Sequence, residues 1–173
     1  MRWEASVVGR EHAEGADRDA SFDAFFAREY PNVERALALV LGDWDLAADA
    51  TQEAMARAFA RWPTVSGYAN ASGWVFRVGL NHSRSRLRRI ARLLLVRPPD
   101  GAARPVEPAD PQVAVAVGRL PVEQRAVVVL RFWLDWTVEQ TAHALDIAPG
   151  TVKSRQHRAL ATLREHLEDH DVG

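Results

Sequence analysis

The chain has 173 residues, 47% hydrophobic and 26% charged, which is enough for one or two domains with buried cores and excludes a disordered protein. It has no cysteine, which excludes a disulfide framework, a cysteine-based zinc site and a thiol nucleophile; no apolar run approaches the ~20 residues that span a bilayer. The net charge of −1 hides an uneven distribution: residues 1–60 hold twelve acids against six arginines, and residues 61–99 hold eight arginines and no acid. Such asymmetry suggests a basic surface for phosphate and an acidic surface for protein.

The opening MRWEASVVGREHAEGADRD lacks the apolar stretch of a signal peptide, so a cytoplasmic protein is expected. Residues 1–18 are polar and rich in Gly and Ala, and they read as a frayed, disordered N-terminus. From Ser21 the spacing turns helical, with Phe22, Phe25, Phe26 and Tyr30 before Pro31, then Val33, Ala36, Leu37, Val40 and Leu41. Gly42 is placed to end that run, and Asp43 to Asp45 to cap the next helix. That helix, Leu46 to about Trp62, should carry Ala47, Ala50, Ala54, Phe59 and Trp62 inward and Asp49, Gln52 and Glu53 on a polar flank. Its density of alanine predicts close helix packing.

Residues 63–70 contain Pro, Gly, Ser and Asn and form a loop. A third long helix follows, from Ala71 or Ser72 to the low 90s, on which Arg77, Asn81, Arg84 and Arg88 recur at i, i+4, i+7 and i+11 as one stripe. Three arginines around one asparagine suit a polyanion, with a single hydrogen-bonding reader in their midst. Residues 97–112 hold five of the nine prolines and no apolar periodicity, so they read as a semi-rigid linker. Beyond it lie Val113 to Val117, then Gly118-Arg119-Leu120-Pro121, then a helix from Val122 to about Trp133. Asp135 stands at a C′ position where Gly would be easier.

The stretch Trp136 to Leu167 reads as a helix-turn-helix. Thr137 and Gln140 make a capping box, with Trp136 before them as a staple, for a helix from Val138 to about Ala144. Asp146 falls where the turn needs a left-handed backbone, and Pro149 fits the first position of the second helix after the poor cap Ala148. On that helix Val152, Gln156, Ala159, Leu160 and Leu163 share one face and Ser154, His157 and Arg158 the other, flanked by Thr151, Lys153 and Arg155. Small polar and basic groups on the first two turns of a seated helix are what major-groove reading requires. No strand pattern appears, so the fold class is all-α, two small helical domains joined by a Pro-rich linker.

Four segments, in order, then carry a resemblance. Asp49-Ala-Thr-Gln52-Glu53-Ala resembles a D-x-x-Q-E helix, Trp74-Val-Phe-Arg-Val-Gly-Leu-Asn81 a W-L-x-x-I-A-x-N helix, Leu120-Pro121-Val-Glu-Gln124-Arg125 an L-P-x-x-Q-R turn, and Gly150-Thr-Val-Lys-Ser-Arg155-Gln-His-Arg158-Ala159 a G-T-V-K-S-R-x-x-R-A helix. Together, over residues 20–167, they resemble the extracytoplasmic-function group of bacterial sigma factors, small members of the sigma-70 family. The resemblance implies a region 2-like domain at 19–96, a linker at 97–112, a region 4-like domain at 113–168 and a tail at 169–173. Asp49, Gln52 and Glu53 would then dock the β′ clamp helices of core RNA polymerase, with the β flap as a second contact. The 63–70 loop and Asn81 would capture a flipped minus-ten base while Arg77, Arg84 and Arg88 hold the strand. Thr151, Lys153, Ser154, Arg155, His157 and Arg158 would enter the minus-thirty-five major groove. The resemblance admits an anti-sigma factor as a further partner. Ala48, Ser85, Asp135, Thr141 and Asp146 depart from the family's usual Glu, Asp, Gly, Ile and Gly.

A dimeric helix-turn-helix regulator that does not bind polymerase is the competing reading. It would need a ligand pocket or receiver domain, which a first half of three helices does not offer. The six histidines are scattered and no nucleophile, base and orienter are grouped, so no enzyme, cofactor, metal or small-molecule substrate is expected. His166 and His170, at i, i+4, read as a solvated chain end.

Overall fold

In the computed structural model of the chain the backbone is described for residues 4–94 and 111–168, and side chains for 17–85, 112–113 and 115–167. Among these residues every regular element is helical. The order is α1 (Glu4–Leu41), α2 (Trp44–Ala60), the single turn α3 (Trp62–Val65), α4 (Ala71–Leu94), α5 (Pro111–Arg119), α6 (Val122–Val128) running into a π-helical turn (Val129–Trp133), α7 (Val138–Leu145) and α8 (Pro149–Glu168). The 97–110 part of the expected linker and the 169–173 tail lie outside the described residues, and Pro111 and Gln112 already belong to α5.

Helix α1 begins inside the stretch expected to fray. Ala, Glu and Arg are frequent there, and such residues extend a helix already nucleated further along the chain. Pro31 lies within the helix, where it cannot donate to the carbonyl one turn back; beside it, the Asn32 amide donates to the Arg28 carbonyl at 3.2 Å. Phe22, Phe25, Val33, Ala36, Leu37 and Val40 bury the inner face. Gly42, at φ +72°, closes the helix, and the Asp43 carboxylate accepts the Leu46 N–H at 3.0 Å to open α2.

Ala47, Ala50, Ala54 and Ala58 are fully buried along α2, so α1 and α4 approach it closely. A Cβ added at Gly79 of α4 would stand 2.7 Å from a Leu37 methyl and 3.2 Å from the Ala50 carbonyl oxygen, which measures how close that crossing is. Phe59, expected inward, is instead exposed at 41%. Trp62 takes the inward place from α3, with its indole N–H donating to Ser21 Oγ at 2.7 Å, and Phe59 rests on Phe22 at the rim with ring centroids 5.0 Å apart.

In the second half the Leu134 N–H reaches the Val129 carbonyl, the i→i+5 bond of the π turn, which leaves Phe132 and Trp133 exposed. Asp135 (φ +52°) and Asp146 (φ +57°) both adopt the left-handed conformation expected of them, and both halves of the Thr137–Gln140 capping box form. Trp136, expected to staple α7, packs its ring edge-on against Phe76 of α4 at 6.3 Å. The main core, drawn from α1, α2 and α4, continues into Ala126, Val129, Leu130 and Ala144 of the second half. The two halves expected to be joined by a linker therefore also share a core. A unit of fewer than 60 residues buries too little surface by itself, and leaning on its neighbour covers the remainder.

Candidate nucleic-acid interface

Helix α8 is seated by two small apolar clusters: Val152 packs with Val127 and Ala142, and Ala159 with Leu120 and Val128. The Arg131 guanidinium fixes its inner edge by donating to Gln156 Oε1 at 3.1 Å and, on its other side, to the Trp136 carbonyl. That seat turns Lys153, Ser154, His157 and Arg158 outward, all exposed, with Thr151 and Arg155 half-buried at the flanks. Arg158 Nη2 lies 3.4 Å from Ser154 Oγ, which itself donates to the Thr151 carbonyl, so one guanidinium and one hydroxyl are presented as a pair. Leu160, expected inward, is 39% exposed, because Ala159 and Leu163 already fill the groove beneath α8.

The stripe on α4 forms as expected through Ser85. Asn81 is exposed between Arg77 and Arg84, which are half-buried. Arg77 Nη1 lies 3.8 Å from Asp146 Oδ1 and Arg84 Nη2 lies 3.5 Å from Glu123 Oε1, so both arginines face acids of the second half. The Arg88 side chain lies outside the described residues, although its backbone continues α4.

The loop after α3 does form a pocket, but with a different wall from the one expected. Asn70 caps α4 by accepting the Gly73 N–H at 2.7 Å, and the cavity, about 390 Å³, is lined by Ser66, Tyr68, Asn70 and Ser72 with Ser21 and Arg28 of α1 opposite. Asn81 is not among its lining; eleven residues along α4 from Asn70, it stands ~16 Å down the helix. Loop composition could suggest the pocket from sequence. No local signal could pair it with Arg28, some forty positions earlier.

On α2, Asp49 and Gln52 are exposed and Glu53 is half-exposed, as the polar flank required. Glu53 pairs with Arg57 at 2.7 Å, and Asp49 Oδ2 lies 3.4 Å from His82 Nε2 on α4. Beside Gln52 runs an apolar groove of about 380 Å³ lined by Phe22, Phe26, Tyr30, Met55 and Phe59. Burial, helped by the Glu34 carboxylate, raises the Tyr30 phenol above its ordinary pKa, while the hydrogen bond with Gln52 works the other way. The acidic flank and its groove face a different side of α2 from the alanines that pack the core. Among the described residues no helix is long and apolar enough to cross a membrane, and no cluster of three metal-ligating side chains forms.

Comparison with known proteins follows the same division. Residues 25–93 match the family model of sigma-70 region 2, and residues 112–163 that of sigma-70 region 4. The chain is 38% identical over 132 residues to the RNA polymerase sigma-E factor of Streptomyces coelicolor, covering 73% of this chain and 74% of that one. It is 37% identical over 153 residues to the ECF RNA polymerase sigma factor SigM of Mycobacterium tuberculosis, covering 85% and 77%. Among solved structures, the sigma factor RpoE of Bartonella quintana, in complex with the anti-sigma factor NepR, superposes with a TM-score of 0.71 at 21% identity over 86% of this chain and 97% of that one. CnrH, in complex with the cytosolic domain of CnrY, gives 0.62 at 24% identity over 87% and 90%. At those identities the superpositions speak for the fold.

Proposed function

Since the chain belongs to the extracytoplasmic-function group of the sigma-70 family, and so to the transcription initiation factors rather than the enzymes, we propose that it binds core RNA polymerase and directs it to promoters read at two elements. The observation that carries this reading is the outward face of α8, where Lys153, Ser154, His157 and Arg158 stand exposed on an apolar seat. In that role α8 enters the minus-thirty-five major groove, with Arg158 and Ser154 on base edges and Lys153, Thr151 and Arg155 toward phosphates. The α4 stripe holds the melted minus-ten strand, Asn81 hydrogen-bonds along it, and the pocket between the 63–70 loop and Arg28 takes a flipped base. Asp49, Gln52 and Glu53, with the apolar groove beside them, meet the β′ clamp helices, and the second half meets the β flap. These partners place the protein in the cytoplasm. A protein of the anti-sigma kind is a further partner, as NepR is for the superposed sigma factor RpoE of Bartonella quintana.

Run-off transcription with purified core polymerase on genomic fragments tests the reading. Discrete start sites should appear only when the chain is added, and it should co-elute with core on size exclusion. Binding to a palindromic duplex as a dimer, without co-elution, would instead establish the competing regulator.

A further inference from the structure

Glycine weakens a helix relative to alanine, so a helical glycine calls for a cause. Gly79 has one inside the fold, since a Cβ there would meet Leu37 and the Ala50 carbonyl. Gly150, the second residue of α8, has none. Its φ lies outside the left-handed region, and a Cβ built on it would meet nothing among the described residues within 4 Å beyond its own turn of helix. It is exposed, and it precedes Ser154 and Arg158 at i, i+4 and i+8, on the row that faces away from the Val152 and Ala159 seat. In the middle of that row stands a short side chain. Ser154 Oγ is one atom beyond its Cβ and donates to the Thr151 carbonyl, with Arg158 Nη2 3.4 Å away. A group that short reaches a base edge only where the helix backbone itself comes close to the floor of the groove. An α-helix with its side chains is ~10–12 Å across and the major groove about 12 Å wide, so little slack remains on the side that enters first.

We propose that Gly150 is a positioning residue for minus-thirty-five reading: its missing side chain lets the first turns of α8 sink into the major groove until Ser154 and Arg158 touch base edges. This rests on the reading of α8 given above and adds what sets its depth. A methyl group at position 150 stands the row off by ~1.5 Å, which lengthens both contacts past hydrogen-bonding distance. Lys153 and Arg155, long and flexible at the flanks, still reach phosphate after such a shift. The glycine therefore serves discrimination between sequences more than attraction to DNA in general.

Gly150→Ala on the full-length chain sets stability against reading. It should leave the thermal midpoint unchanged or raise it by ~1–3 °C, because alanine suits a helix better. In competition binding it should lose about tenfold in affinity for a duplex carrying a minus-thirty-five element from the run-off promoters. For a scrambled duplex the loss should be less than about threefold, and the salt slope should not change, since no charge is removed. Gly118, in the last turn of α5, is also exposed with open space around it, so Gly118→Ala makes the same change away from the reading face and should alter neither affinity. A lower midpoint in Gly150→Ala would give the glycine a role in folding and overturn the proposal. Undiminished preference for the element, or equal loss on the two duplexes, would overturn it as well while leaving α8 the reading helix. A parent chain that does not prefer the element to the scrambled duplex overturns the reading of α8 itself, and the depth role with it.

Discussion

Arg158 and Lys153 share the exposed face of α8 but not the same geometry. Arg158 is central and paired with Ser154, as a group reading base edges should be, whereas Lys153 stands nearer the flank, where the backbone of a duplex would pass. Arg158→Ala should therefore relax preference at one promoter position by about 1–3 kcal/mol, and Lys153→Ala should weaken all sequences alike and flatten the salt slope by about one unit. Competition binding at several salt concentrations separates the two; wild-type ranking and slope in both variants would remove α8 from the groove. Thr141 poses a different residue-scale question. It stands where the family usually has Ile, fully buried on α7, and its hydroxyl has no hydrogen-bond partner among the described residues. Removing an orphaned buried hydroxyl while keeping the branched shape should stabilise, so Thr141→Val is expected to raise stability by about 1 kcal/mol, seen as a higher urea midpoint at unchanged slope.

At the scale of an element, α2 carries two jobs on two faces. Its alanines pack the core, and its acids lie at the surface: the Glu53–Arg57 pair is i,i+4 and worth about 0.3–0.5 kcal/mol, and Asp49 meets the His82 ring of α4 at 3.4 Å from a half-exposed position. Asp49→Ala with Glu53→Ala should leave the melting temperature nearly unchanged while capture of core polymerase on an affinity column falls. Loss of folding, or undiminished capture, would contradict the docking role. Helix α4 is divided along its length instead. Its N-terminal end closes the loop pocket and its middle presents Asn81 between two arginines, so Asn81→Ala should slow open-complex formation on a fully paired promoter more than on a pre-melted one. Permanganate footprinting on the two templates makes the comparison, and equal loss on both would assign Asn81 to reading without melting.

For the whole molecule, the shared core links the stability of the two halves. Trp136 bridges them through Phe76 while belonging to neither core's centre, and it is half-buried. Wild type should unfold in a single thermal transition. Trp136→Ala should cost about 2 kcal/mol and split that transition in two, with the smaller second half melting first. Calorimetry decides, and a single transition in the variant would mean that the remaining contacts, Arg125 to Val40 among them, are enough to couple the halves.

Much was legible because its causes are local. The Thr137–Gln140 capping box, the left-handed positions at Gly42, Asp135 and Asp146, the alanine face of α2 and the outward basic face of α8 depend on residues within a turn or two of one another, and local spacing displays them. Continuity of α1 through Pro31 and into residues 4–18 was not legible from composition, since a polar stretch can fray or extend a helix already nucleated beside it. Phe59 and Leu160 were misplaced for a tertiary reason: Trp62 in one case, and Ala159 with Leu163 in the other, already filled the space a hydrophobic residue would take. The loop pocket drew its far wall from Arg28, and Trp136 found Phe76 of α4 as a ring partner. The sequence by itself determined which helices form and which chemistry each displays, because hydrogen bonds and side-chain periodicity within a helix are short-range. Only the tertiary structure decided that Asp146 and Glu123 meet Arg77 and Arg84, because that pairing depends on how two short apolar faces, far apart in the chain, cover each other.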